Sequence, residues 1–261
     1  MNNSKLLFLA IFTFIFTVVN AQSKVDTINS SNYKLLTSKL AEFSKEYLVY
    51  RTDSTKTRKN IGDIWQREAK FSKFNNKEAV EFTWKWFTKD GTLYKTVTNI
   101  CDRKTLAPLH HLAVTNKIGD PRYDRGAGTK AFDYSKDEMY PDKNVADNSV
   151  LGTNPVKLSI PILSWEIDLE TLPLLPIKKV GQKFAISFFD PSEKEAGYHI
   201  YEVTGKGKLK LNNDTQINCW LLKINYDEKN YALFWLSEKS GEVIKMEEQY
   251  NSVYRFKVLQ Y

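Results

Sequence analysis

The chain has 261 residues, 42% of them hydrophobic and 26% charged, with a net charge of +7. That length and balance admit one large domain with its own core, and exclude a disulfide-dense mini-protein or a chain too polar to collapse. The 38 lysines and arginines are scattered along the chain instead of forming blocks of five or six, which describes a solvated surface and offers nucleic acid no basic stripe.

Lys5 followed by the apolar run Leu6 to Val19 and the small-residue spacing of Val19-Asn20-Ala21 reads as a secretion signal, with the mature chain starting at Gln22. The apolar run is too short to span a bilayer, which takes roughly 20 residues. Gln22 stands where a lipoprotein would carry cysteine, so N-terminal lipid attachment is not expected. Removing 21 residues from 261 leaves 240, and losing Lys5 lowers the charge from +7 to +6. The expected location is the periplasm or outer envelope.

Residues 22–44 divide into a polar, disordered leader, Ser23 to Ser31, and a short helix in Tyr33 to Phe43 predicted from Leu36, Leu40 and Phe43. Residues 45–261 read as a single β domain in three parts: a first meander (45–115), a loop-rich connection with a lid helix (116–179) and a second meander (180–261). Lys45 to Arg51 has the apolar content of a strand buried on both faces. Strands follow at Gly62 to Phe71, Glu78 to Thr88, Leu93 to Cys101 and Leu106 to Val114, with Asp90-Gly91 as a hairpin turn. In the second of these Phe82, Trp84 and Trp86 share a face with Val80. At about 150–250 Å² per ring and about 25 cal/mol per Å², burying each is worth roughly 4–6 kcal/mol, so that face must meet apolar surface.

The connection is broken by Gly119, Gly126, Gly128, Pro121 and Pro141, with a short strand at Thr129 to Tyr134. Leu163 to Leu175 carries Trp165, Leu169 and Leu172 at helical spacing, with Ser164 as a cap and Pro173 and Pro176 as stops, and predicts an apolar helix or lid. Strands resume at Lys183 to Phe189 and Tyr198 to Lys206, and four more close the chain: Gln216 to Tyr226, Tyr231 to Ser237, Glu242 to Tyr250 and Ser252 to Tyr261. The turn Cys101 to Leu109 resembles Leu236 to Ile244, which suggests an internal duplication. The expected fold is mainly β: a curved antiparallel meander sheet forming a half-barrel or barrel, with one or two short helices as lid or plug.

The Asp-x-x-Thr-Leu-x-Pro turn (Asp102, Thr105, Leu106, Pro108), Phe132-Asp133-Tyr134, the run Leu172 to Gln182 and Phe234 to Ser237 together resemble a family of exported bacterial envelope proteins of unknown function. That family looks related to the lipoprotein-localisation half-barrel carriers. The resemblance spans roughly residues 45–261 and implies a curved sheet with a concave apolar interior. It transfers no catalytic residue.

Candidate chemistry is sparse. His110 and His111 adjoin on a strand and point to opposite faces, so they cannot easily share a metal, and His199 is the only other histidine. Glu166, Asp168 and Glu170 crowd the lid and offer the carboxylates of a hydrolase, although Glu166 and Glu170 also read as a solvated helix face. Asp142, Asn144 and Asp147 hint at calcium but lack the glycine and closing glutamate of a calcium loop. Cys101 and Cys219 fit either a bridge or two buried thiols. No nucleophile elbow, phosphate loop or dinucleotide fingerprint is present, so no catalytic residue, metal or cofactor is expected. The residues expected to line a ligand site are Phe82, Trp84, Trp86, Trp165, Leu169, Leu172, Trp220 and Trp235. The leading reading is a non-enzymatic envelope protein that binds a lipid or other hydrophobic small molecule. The alternatives are a structural module with an envelope protein partner and, third, a carboxylate-dependent hydrolase.

Overall fold

The structure, a computed structural model, describes residues 25–57, 59–142, 145, 154–191, 193, 195–211 and 214–260. The export signal lies outside the described residues. The first half of the chain forms β1 (Val25–Ile28), β2 (Phe43–Thr52), β3 (Lys59–Phe74), β4 (Lys77–Thr88), β5 (Leu93–Asp102), β6 (Pro108–Thr115), α1 (Pro121–Asp124), β7 (Gly128–Tyr134), β8 (Glu138–Pro141) and β9 (Val156–Lys157). The second half forms β10 (Leu163–Ser164), α2 (Asp168–Thr171), β11 (Lys183–Ile186), β12 (Phe188–Phe189), β13 (His199–Lys210), β14 (Gln216–Asn225), β15 (Tyr231–Ser237), β16 (Val243–Tyr250) and β17 (Val253–Gln260).

Fifteen strands make one open sheet in the order β1-β11-β13-β14-β15-β16-β17-β2-β3-β4-β5-β6-β7-β8-β9, while β10 and β12 pair apart from it. Both meanders therefore belong to one surface. Their seam is the antiparallel pairing of β17 with β2, for example Phe256 opposite Tyr50, whose rings stack at 4.8 Å. Two hairpins close on residue pairs that both have positive φ, Asn75-Asn76 (48° and 64°) and Asn251-Ser252 (50° and 64°), the backbone that matches strand twist in a tight turn. The fold is thus mainly β, a curved sheet that is antiparallel except where β1 pairs with β11, with short helices.

Along the sheet, the run β11-β13-β14-β15-β16-β17 is followed by β2-β3-β4-β5-β6-β7, two sets of six strands side by side. The turns after β5 and β15, alike in sequence, share their hydrogen bonds. Leu106 N–H donates to Asp102 O at 2.8 Å, and Gly241 N–H to Ser237 O at 2.8 Å. Asp102 N–H reaches Ala107 O at 2.8 Å, and Ser237 N–H reaches Glu242 O at 2.8 Å. Asp102 Oδ1 accepts from Thr105 N–H at 2.9 Å as Ser237 Oγ accepts from Ser240 N–H at 3.2 Å. A register shift precedes each turn at the matching place, Ile100/Cys101 and Trp235/Leu236. These correspondences fit a duplicated unit.

The inner face of the sheet is covered by the segment around α2. Leu163, Ile167, Leu169, Leu172, Leu174 and Leu175 are all buried in one core with Val80, Phe82, Trp84, Leu222 and Phe234. Leu163 to Leu175 is not the single helix expected. It is a 3-10 turn at Trp165–Ile167, one turn of α2, and a second 3-10 turn at Leu172–Leu174 containing Pro173. Proline interrupts the helical bonding, and Ser164 makes no cap: its hydroxyl donates to Asn99 Oδ1 at 3.3 Å.

Three other expectations change. The helix in Tyr33 to Phe43 reduces to a 3-10 turn at Thr37–Lys39, because Leu36 N–H is drawn onto Leu174 O at 2.8 Å and so short a helix has little stability of its own. The leader contains β1, which pairs parallel with β11 and fully buries Ile28. In β2 only one face is deeply buried, through Tyr47 and Val49, while Leu48 and Tyr50 are half-buried.

Gly241, at φ +78°, lies against the plug: a Cβ there would come within 2.8 Å of Pro173 O. Gly91, at φ +83°, has nothing within 4 Å. Gly241→Ala should therefore cost about 1–3 kcal/mol and Gly91→Ala clearly less, measured by urea unfolding of the two variants side by side.

Candidate functional site

Alternation along β3 turns Asp63, Trp65, Arg67 and Ala69 to the inner face. Arg67 lies opposite Trp84 in the β3–β4 register and is only 2% exposed. Its guanidinium carbon sits 3.7 Å from the Trp84 ring centre and 5.4 Å from that of Tyr47. The Tyr47 hydroxyl is turned away from it and donates to Val243 O at 2.8 Å. Arg67 Nη2 donates to Glu170 Oε2 on α2, a pair in which both side chains are buried. Burial pushes the Glu170 carboxyl up to about 7 against the opposing pull of Arg67. Glu170 is therefore not on the solvated face read for it and Glu166, and Asp168 is buried beside it. The proline-broken geometry turns both inward.

A second cation completes the arrangement. Lys257 of β17 is buried with Nζ 4.8 Å from the Trp65 ring centre, and burial lowers it to about 8 while Asp168 acts in the other direction. Asp168 Oδ1 accepts from Leu169 N–H at 2.6 Å. One sheet cation, Arg67, is thus paired with a plug carboxylate, and a second, Lys257, is buried within the field of Asp168. From Trp84 a line of rings runs along the sheet: Trp65 at 5.6 Å, then Trp86 stacked on Trp65 at 4.4 Å, Tyr94 at 6.1 Å from Trp86, and Tyr123 at 4.5 Å from Tyr94.

Glu166, the remaining plug carboxylate, belongs to a separate cluster. His111 Nδ1 lies 3.1 Å from Glu166 Oε2 and 3.1 Å from Asn99 Oδ1, and burial lowers the pKa of its imidazole. His110 faces the other way, with Nδ1 2.8 Å from Asp133 Oδ1. Among the described residues no three histidine, cysteine or acidic side chains are grouped to hold a metal. Asn144 and Asp147 lie outside the described residues. Cys101 and Cys219 are free, buried thiols, and burial raises Cys219 to about 11.

The structure brings Phe82, Trp84, Leu169 and Leu172 into one buried core, with Trp86, Trp165 and Trp220 half-buried at its margins. Trp165 meets His199 edge-on at 4.6 Å, and Lys206 lies 4.1 Å from the Trp220 ring centre. Trp235, between the buried Phe234 and Leu236, is also half-buried against this core, with Lys245 Nζ 4.5 Å from its ring centre. Arg67 and Lys257 were not singled out in the sequence. Their one legible signal is a charge at an inward position of an alternating strand.

Around α2 the inner face is filled by the chain, and a pocket remains at the plug's edge. There a pocket of about 330 Å³ is lined by Leu40, Phe43, Tyr47, Leu169, Leu174 and Val243, with Arg67 and Glu170 at its wall. Nε and Nη1 of Arg67 have no hydrogen-bond partner.

A family model described as "Protein of unknown function (DUF3108)" matches residues 46–258, and the chain belongs to that family. No curated protein matches. A solved structure described as "a putative lipoprotein from Parabacteroides distasonis ATCC 8503" is similar at 10% identity and a TM-score of 0.33, covering 83% of this chain and 93% of that one. A DUF1329 family protein from Desulfovibrio piger ATCC 29098 is similar at 9% identity and a TM-score of 0.21, covering 83% and 82%. Neither comparison links the chain to the lipoprotein-localisation carriers.

The two members of the buried pair are not equivalent. A carboxyl left alone can take a proton and become neutral, whereas a guanidinium stays charged. Glu170→Leu should cost about 3–5 kcal/mol and Arg67→Met less, while the double substitution should recover most of the loss, as read from urea midpoints. The folded pKa of Glu170 is above the unfolded value, so its contribution is full below pH 4.5 and declines as pH rises towards about 7. Stability of the wild type relative to Glu170→Gln should fall across that window.

Proposed function

We propose that the chain is a non-enzymatic protein of the bacterial envelope that holds one acyl chain, or a comparable apolar guest, at the edge of its plug. The export signal read in residues 1–21 supports the compartment. The observation that carries the binding reading is the pocket of about 330 Å³, apolar along Leu40, Phe43, Leu169, Leu174 and Val243, with Arg67 and Glu170 in its wall. Small-molecule sites commonly start at about 300 Å³ and pair apolar walls with a few placed polar groups. Against the hydrolase reading, Glu170 is tied to Arg67, and Glu166 lies apart in a separate cluster beside His111.

One observation favours the second reading, an interaction module with an envelope partner. Beneath the plug the inner face is already occupied by Phe82, Trp84, Leu169 and Leu172.

Delipidated protein titrated with 11-(dansylamino)undecanoic acid should show saturable, one-site binding with Kd on the order of micromolar, little affected by salt. Ala41→Trp, at an exposed position on the pocket rim, should abolish it without changing the melting temperature. Absence of saturable binding in the wild type would leave the interaction module.

A further inference from the structure

At the other end of β2 from the plug-edge pocket, the strand ends of the first meander open into a second and larger cleft, of about 1100 Å³. Arg51 comes from the end of β2, Asp63 from β3, Thr88 from β4, Tyr94 and Lys95 from β5, and Lys130 from β7. The loop around α1 forms the outer wall and is pinned in place. Asp124 accepts from Ile118 N–H at 2.6 Å and from Gly119 N–H at 3.1 Å. The Tyr123 hydroxyl donates to Gly62 O at 3.0 Å across the cleft floor. Trp86, Tyr94 and Tyr123 line that floor in edge-on and tilted ring contacts.

The charges around this concavity are unbalanced. Six cations line it, Arg51, Lys89, Lys95, Arg122, Arg125 and Lys130, against three carboxylates, Asp63, Asp90 and Asp120. Asp120 is taken by Arg122, and Lys95 leans over Trp86 at 4.5 Å, with Nζ 4.0 Å from Glu166 on the plug. Burial raises the pKa of Asp63, with hydrogen bonding from Tyr94 and the charge of Arg51 among the opposing effects. Among the described residues, Arg51, Lys89, Arg125 and Lys130 form no ion pair with any acid. Scattered surface lysines would be solvated individually, but four unpaired cations around one preformed hollow add their fields inside it.

We propose that this cleft binds a polar oxyanion, a phosphate or carboxylate carried by a small solute or by a lipid head group. Arg51 and Arg125 supply planar donor forks for its oxygens, and Lys89 and Lys130 act as point charges. The site is separate from the apolar pocket and does not depend on it.

Calorimetric titration with pyrophosphate and with citrate in about 0.15 M salt, where the Debye length is about 8 Å, tests the solute form. Binding to phosphatidylglycerol vesicles, compared with neutral phosphatidylcholine vesicles, tests the head-group form. The wild type should bind at least one of these anionic probes saturably. Arg51→Gln combined with Arg125→Gln should weaken that binding by about tenfold or more. Lys179→Gln combined with Lys208→Gln removes the same charge from exposed positions away from the cleft and should leave it unchanged. Ala41→Trp should also leave it unchanged, which separates failure here from failure of the acyl pocket. Binding of pyrophosphate or citrate identifies a free oxyanion as the ligand, and binding confined to phosphatidylglycerol vesicles identifies a head group. No binding to any anionic probe by folded protein, or equal loss in both double variants, would overturn the proposal.

Discussion

The burial of Arg67 is the constraint on which the interior depends. A guanidinium cannot shed its charge, and at 2% exposure it has no water to share it with. The plug must therefore deliver a carboxylate to one place on β3, and Glu170 meets it there between Leu169 and the Leu172–Leu174 turn. The Trp84 face covers the cation at 3.7 Å, an arrangement favoured by the negative face of the ring. Apolar packing alone would hold the segment in many registers. One ion pair, with Lys257 and Asp168 beside it, selects among them, and the leucines of the plug then fall into the sheet's concavity in a single way.

The same sheet presents two hollows of opposite character. Its inner surface is continuous because β17 pairs with β2, which joins two sets of six strands that carry matching turns at Asp102 and Ser237. Sets related in this way need not be filled in the same way. The plug crosses towards the Gly241 turn, where the absence of a Cβ lets Pro173 O approach, and leaves an apolar pocket beside Phe43 and Leu174. At the far end of β2 the loop around α1 bridges the strand ends and leaves a polar, cationic cleft. Lys95 connects the two regions, since it lines the cleft and also approaches Glu166 on the plug.

Much of the scaffold was legible because strand pairing here is mostly local. Hairpins such as β3–β4, β4–β5 and β16–β17 need only alternation and a turn, and Asn75-Asn76 and Asp90-Gly91 mark the first two. The inward set Val80, Phe82 and Trp84 is buried as its period of two requires. The plug was visible as an apolar, proline-stopped segment, but its broken backbone was not, because a spacing of four and three looks the same whether the turns are α or 3-10. Ile28 went unread in a polar stretch: four residues of strand carry too little periodicity to announce β1.

Composition, alternation and turn chemistry by themselves determined that the chain builds a large, mainly β sheet from two meanders, with an aromatic inner face that must be covered. Those properties are short-range, set by neighbours two to five residues apart. Tertiary structure alone decided what covers that face and what stays open. Arg67 and Glu170 are separated by 103 positions, Tyr47 and Val243 by 196, and nothing local to any of them indicates the other. An arginine on an alternating strand and a glutamate in a short helix are ordinarily solvated charges. Only the folded sheet, by removing water from both at once, turns them into the pair that seats the plug and bounds the apolar pocket.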